Sequence, residues 1–297
     1  MTRETPNEPG SSPRELRIEQ LTESHRFDAE LANLLTQFRY RADGITLTAA
    51  KPRPLPTHII DPITPGLEAV FEPGSSLVFV CYDNREHTMV NPIETVLIDA
   101  LATTVQQDSP TRPDGRAAKP LGEGPAPDAH TKRTQDETPG SGQGERPTIG
   151  VVTPHNAQRG ALDAVLPDTV TANTVEKYQG GERDVIAVSA TVSDPGFARS
   201  EERFLLNPRR LLVAISRSRL MTIVICSTAL FEVAPQDSER LDDGPVWARL
   251  FTDAVGRDPS PRWTGLLAEF VGDTNTEYAD VPVQVYPSTI ETDERDP

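Results

Sequence analysis

Apolar positions along this chain alternate between two periods. Glu30 to Phe38 carries Leu31, Leu34, Leu35 and Phe38, the spacing of one helix face. Ser76 to Tyr82 is a short, continuous apolar run rich in β-formers, which predicts a strand. Pro92 to Val105 opens with proline and places Ile93, Val96, Leu97, Ala100 and Leu101 on one face, which predicts a helix. The rhythm then continues with Thr148 to Thr153 (strand), Asn156 to Leu166 (helix), Val170 to Val175 (short strand) and Asp184 to Val192 (strand). Pro208 to Arg217 (helix) and Leu220 to Ser227 (strand) complete it. Buried strands alternating with amphipathic helices predict an α/β fold, a parallel sheet with helices on both faces. Such sheets bind ligands on loops at the carboxyl ends of their strands, so the chemistry is expected just after the strands.

Beyond this rhythm, Asp237 to Phe270 holds Trp247, Leu250, Phe251, Trp263, Leu266, Leu267 and Phe270 at helix-like spacing. It predicts a helical extension whose tryptophans are core. Val281 to Tyr286 predicts an added edge strand, followed by an acidic tail. Gln106 to Pro147 holds seven prolines, six glycines and one large apolar residue, Leu121. That composition buries too little surface to offset its ordering entropy, and predicts a disordered insertion. The expected organisation is a loose N-terminus over 1–19, one domain over 20–232 interrupted at 106–147, and an extension with a tail over 233–297.

Composition narrows the class. With 45 Asp+Glu against 29 Lys+Arg the formal net charge is −16, and only four of the basic residues are lysine. Acid-rich, lysine-poor chains suit a salt-loving, haloarchaeal cytoplasm, or come simply from a GC-rich genome. In molar salt the Debye length is about 3 Å, so net acidity stops deciding partners and local contacts take over. No apolar run reaches the roughly 18 residues that a membrane span needs, and a cytoplasmic location is expected. The two cysteines, Cys81 and Cys226, sit in apolar runs and are read as small buried hydrophobes. Five scattered histidines without ligand spacing predict no metal site.

Three polar clusters stand out. Thr153-Pro154-His155-Asn156 leaves a strand and feeds a helix, an arrangement that presents a hydroxyl and fresh helix N–H groups to an anion. Asn173-Thr174-Val175-Glu176-Lys177-Tyr178-Gln179-Gly180-Gly181-Glu182 precedes a buried strand. Its glycines allow close backbone approach, and its carboxylate can accept from ribose hydroxyls. Asn207-Pro208-Arg209-Arg210 through Ser216-Arg217-Ser218-Arg219 sets four arginines on one helix and its exit. In so acidic a chain they ask for an anionic partner, and the arginine fork suits phosphate.

In this order and spacing, the clusters resemble the second, RecA-like motor domain of superfamily 1 helicases, in the branch of the nonsense-mediated-decay and replication nuclease-helicases. The resemblance extends upstream to Glu23-Ser24-His25-Arg26-Phe27-Asp28 with Tyr40 fourteen residues after Arg26, and to Asn91 and Glu94 at a helix start. It covers roughly Leu21 to Phe231. It implies that Arg26 and Arg217 act as arginine fingers on ATP, with Mg²⁺, and that Gln179, Gly180 and Glu182 shape the nucleotide contact. It further implies that Thr153, with Pro154 and His155, and Thr174, with Val175, hold the backbone of single-stranded DNA or RNA. The Asn-Thr-Val-x-x-Tyr-Gln-Gly form lies closer to the replication enzymes, which favours DNA. Two departures are visible. The family tyrosine before the first arginine is His25, and the family Thr-Arg-Ala-Arg is Ser216-Arg217-Ser218-Arg219.

One half of an ATPase site is missing from these 297 residues. The chain contains no Gly-Lys dipeptide, so it holds no P-loop. The expectation is a motor half that needs an N-terminal P-loop helicase domain in another chain, and that hydrolyses no ATP alone. The competing expectations are a non-enzymatic strand-binding or helicase-modulating module, and a truncated remnant.

Overall fold

The computed structural model describes residues 23–24, 28–38, 40–49, 55, 60–106, 146–178, 181–236 and 244–290. Arg26, Gln179, Gly180, most of the proline-rich insertion and the terminal segments lie outside the described residues.

A two-residue parallel pair, β1 (Glu23–Ser24) with β2 (Thr48–Ala49), flanks α1 (Ala29–Phe38). The main sheet has seven strands: β3 (Leu77–Tyr82), β4 (Ile149–Thr153), β5 (Thr171–Thr174), β6 (Arg183–Ser189), β7 (Ser218–Ser227), β8 (Trp263–Leu266) and β9 (Pro282–Pro287). Their spatial order is β5-β4-β6-β7-β3-β9-β8. The five strands from β5 to β3 are mutually parallel, whereas β9 runs antiparallel to β3 and β8 antiparallel to β9. The sheet is therefore mixed and mostly parallel.

Alternate residues of each central strand serve two cores. Leu77, Phe79 and Cys81 of β3 face the layer formed by α1, α5 (Pro195–Ser200), α6 (Glu202–Leu205), α7 (Pro208–Ile215) and α8 (Val246–Val255). Val78, Val80 and Tyr82 face α2 (Pro65–Phe71), α3 (Pro92–Gln106), α4 (Asn156–Asp163) and α9 (Leu267–Val271). Burial on both faces explains the unbroken apolar run in the sequence. Prolines start α2, α3 and α7 behind Thr64, Asn91 and Asn207, whose side chains accept from first-turn amides. Thr64 also donates to the Phe270 carbonyl at 2.6 Å and so ties α2 to α9.

Two expectations are corrected. Asp237 to Phe270 is not one helical extension: among its described residues only α8 and α9 are helical, and Trp263 lies on β8. The strand after it is not at the edge, because β9 inserts between β3 and β8 and joins the C-terminal segment to the main sheet. Trp247 is core, as expected, and donates its indole N–H to the Leu205 carbonyl. Two boundaries also move. The helix α4 stops at Asp163, close to Pro167, which cannot continue it. The strand β6 stops at Ser189 because Thr191 takes φ +65°, a left-handed conformation that a β-branched residue rarely adopts.

Candidate functional site

The two threonines singled out for strand contact end neighbouring strands. Thr153 of β4 and Thr174 of β5 are direct partners in the ladder. Both are buried, and the Thr153 hydroxyl is engaged inward, 2.9 Å from that of Thr191. What this corner presents outward is Pro154, His155 and the first turn of α4, with Val175 and Glu176 beside them. His155 is the N-cap of α4 but gives the helix no side-chain bond. Its ring packs on Phe204 and Phe197, with centroids 5.6 and 6.2 Å away. Burial pushes its imidazole below the usual value, against the opposing pull of Glu201, so it is neutral at pH 7.

The nucleotide-facing candidates lie at the opposite end of the strands. Glu182 immediately precedes β6, and Arg217 immediately precedes β7, at their amino ends. The expectation that all the chemistry follows the strands holds for Thr153 and Thr174 but not for these two. Glu182 pairs with Arg219 at 3.2 Å, and Arg219 reaches Asp184 at 3.9 Å. The Arg217 Nε–H donates to the Val213 carbonyl at 3.0 Å, at the end of α7. Because Arg183 N–H donates to the Arg217 carbonyl, the two sequence clusters meet at one edge. A guanidinium and a carboxylate so placed suit phosphate and sugar hydroxyls respectively. Among the described residues no three metal-ligating side chains gather.

A segment links the two ends. Val175 to Tyr178 leave the carboxyl end of β5 on the sheet face that carries α7, and the described chain resumes at Gly181 before the amino end of β6. On the way the Tyr178 ring lies so close over Gly150 that any Cβ there would overlap its hydroxyl. Glycine is required at 150 by this close approach.

Sequence reading named Asn91 and Glu94 but not the network they build. Glu94 is fully buried. Its Oε1 accepts from the Tyr82 hydroxyl at 2.8 Å, and its Oε2 accepts from Ser189 Oγ at 2.5 Å and Thr191 N–H at 2.8 Å. Burial pushes its carboxyl up to about 7 despite these three donors. Asn91 Nδ2 donates to the Tyr82 hydroxyl and the Thr191 carbonyl, while Asn91 N–H donates to Gln158 of α4. The network thus pins the ends of β3, β4 and β6 together beneath the Thr153 corner, and holds Thr191 in its strained conformation. The spacing of Asn91 and Glu94 is a helix-start signal, but nothing in the sequence marks Thr191 as left-handed.

Residues 132–229 match the family model described as an AAA domain. That stretch holds all three motif clusters. It resembles short stretches of curated helicases. Probable RNA helicase armi of Drosophila melanogaster is 35% identical over 96 residues, covering 29% of this chain and 8% of that protein. DNA polymerase alpha-associated DNA helicase A of Saccharomyces cerevisiae is 37% identical over 83 residues, covering 26% and 12%. DNA replication ATP-dependent helicase/nuclease JHS1 of Arabidopsis thaliana is 32% identical over 88 residues, covering 29% and 7%. The chain thus spans a small fraction of the length of the curated relatives it matches. The α/β sheet agrees with a RecA-like domain of this kind, and no described helix is long and apolar enough to cross a membrane.

Proposed function

We propose that this chain carries the second motor domain of an ATP-dependent helicase that works on single-stranded DNA or RNA. The observation that carries the reading is the coincidence of the AAA-domain match and the helicase likeness with the motif clusters, which the fold sorts to two ends of one sheet. In this reading Pro154, His155, the start of α4 and Val175 touch the strand backbone. Thr153 and Thr174 sit behind them as the buried ends of β4 and β5. Such contacts position a strand without reading its sequence. At the other end Arg217 faces the γ-phosphate, where an arginine stabilises charge that develops during transfer, and Arg26, outside the described residues, is the second such arginine. Glu182 faces the nucleotide sugar, with Gln179 and Gly180 as further contacts that lie outside the described residues. A P-loop domain, from another chain or elsewhere in a longer one, supplies the phosphate cradle and the Mg²⁺ ligands. The reading extends to a cytoplasmic, salt-adapted protein.

The test titrates the purified chain with a fluorescent ATP analogue and a single-stranded oligonucleotide in high KCl, and measures phosphate release. Strand binding with weak nucleotide binding and no phosphate release is expected. Phosphate release that persists in Arg217→Ala protein refutes the arginine-finger assignment and the need for a P-loop partner. Absence of strand binding refutes the helicase reading itself.

A further inference from the structure

Two struts cross one sheet face side by side. One begins after β5 as Val175 to Tyr178, and the described chain resumes at Gly181 and Glu182 before β6. The other is α7, whose eight residues span about 12 Å at 1.5 Å per residue and end at Ile215, two residues before Arg217. They are tied at both ends. At the strand-contact end, Arg210 ion-pairs with Glu176, and its guanidinium lies 3.7 Å from the centre of the Phe204 ring. That ring packs in turn on His155, tilted by 30°. At the other end Arg219 holds Glu182, and the Arg217 carbonyl accepts from Arg183 N–H.

Between the ties a small cleft of about 40 Å³ lies against α7, lined among others by Val152, Val188, Ala190, Leu211 and Ala214. The contacts at the two ends of α7 help to set its position. Arginine at 210 is apt here. Its planar fork can stack on a ring and pair with a carboxylate at once, whereas a lysine ammonium cannot stack.

We propose that His155, Phe204, Arg210 and Glu176 form a coupler that makes the position of α7, and with it Arg217, depend on what occupies the strand-contact corner. The coupler rests on the strand-binding reading above. The four residues come from four separate segments, and of them only Phe204 also packs against the core on that face. A strand that settles on Pro154 and the start of α4 shifts the His155 backbone and, with it, the largely buried imidazole. The Phe204 ring, in contact with both His155 and Arg210, passes that displacement to the first turn of α7. Glu176 brings the second strut into the same movement. These are positioning residues, since none of them touches the nucleotide.

Hydrogen exchange of the α7 amides, in the full chain with and without a labelled single-stranded oligothymidylate, tests this. In the wild type, bound strand changes α7 exchange by about tenfold. Phe204→Leu and Arg210→Lys still bind the strand, but α7 no longer responds. Phe204→Tyr keeps the planar ring and responds as the wild type does, which a merely structural role for bulk at 204 does not require. If Phe204→Leu protein fails to fold, Arg210→Lys decides. Strand binding without an α7 response in the wild type, or an undiminished response in Arg210→Lys, overturns the coupler and leaves the strand reading standing. No strand binding by the wild type overturns the strand reading and the coupler with it.

Discussion

Replacing Glu94 with glutamine probes the buried network with a predictable sign. The carboxyl titrates near 4.5 in the unfolded chain and at about 7 when folded. Between those values the folded state holds a proton that the unfolded state has released, so folding stability falls as pH rises through this window. The shift corresponds to about 3 kcal/mol, fully lost above pH 7. Tyr82 and Cys226, the titratable groups facing Glu94, are both pushed upward by burial and by their neighbours and stay neutral throughout. At about pH 5 the protonated acid and the amide are alike in charge. The amide, however, turns a donor toward either the Tyr82 hydroxyl or the Ser189–Thr191 pair, and one displaced hydrogen bond costs about 1–2 kcal/mol. Glu94→Gln should therefore be less stable than wild type near pH 5, and equal or more stable near pH 8. Urea unfolding of both proteins at fixed high salt, across that range, measures the difference. Taking the difference cancels the contribution of the many surface carboxylates. A wild-type-minus-variant stability that stays constant within about 0.5 kcal/mol from pH 5 to 8 refutes a buried carboxyl titrating near neutrality.

Further outcomes follow from single contacts. Gly150→Ala should cost about 1–3 kcal/mol in urea unfolding, because its Cβ overlaps the Tyr178 hydroxyl. Gly150→Ala combined with Tyr178→Phe should recover part of that loss, and a fully additive double mutant excludes the contact. Thr64→Ala removes both the α2 cap and the bond to Phe270, and should lower stability by about 1–2 kcal/mol. Ser76→Ala leaves half-buried Asp28 and buried Glu30 without their shared hydroxyl donor. Both carboxyls are already raised by burial, so the loss of that donor should be larger near neutral pH than near pH 4, where protonation relieves the pair.

Much of the architecture was legible in the order of apolar runs. Each predicted strand from Ser76 to Ser227 and each helix between them is present, because strands buried on both faces and amphipathic helices impose different periods on the sequence. Proline behind Asn91 and Asn207 marked two helix starts through chemistry local to the chain, whereas α2, with the same Thr64-Pro65 signal, was not read from the sequence. The motif clusters were legible for the same reason, since each is a short contiguous segment. What depended on distant pairing was not. The helix-like spacing of Trp247 to Phe270 concealed β8, because a four-residue strand at a sheet edge leaves too short a pattern to distinguish periods of 2 and 3.6. The placement of β9 between β3 and β8 is a choice of partner that no local pattern encodes.

The sequence by itself determined that Thr153, Thr174, Glu182, Arg210 and Arg217 sit at the ends of strands and of a helix. The tertiary structure decided which of those ends lie together. Parallel strands place one end of every element at each edge of the sheet, and a crossing segment carries the chain back to the other edge. Thr153 and Thr174 therefore share one edge, and Glu182 and Arg217 the other. Only packing between segments remote in sequence made Glu94 a buried acid, stacked Arg210 on Phe204 and held Thr191 left-handed. Those features are energies of contact across the fold, and they have no signature in any single run of residues.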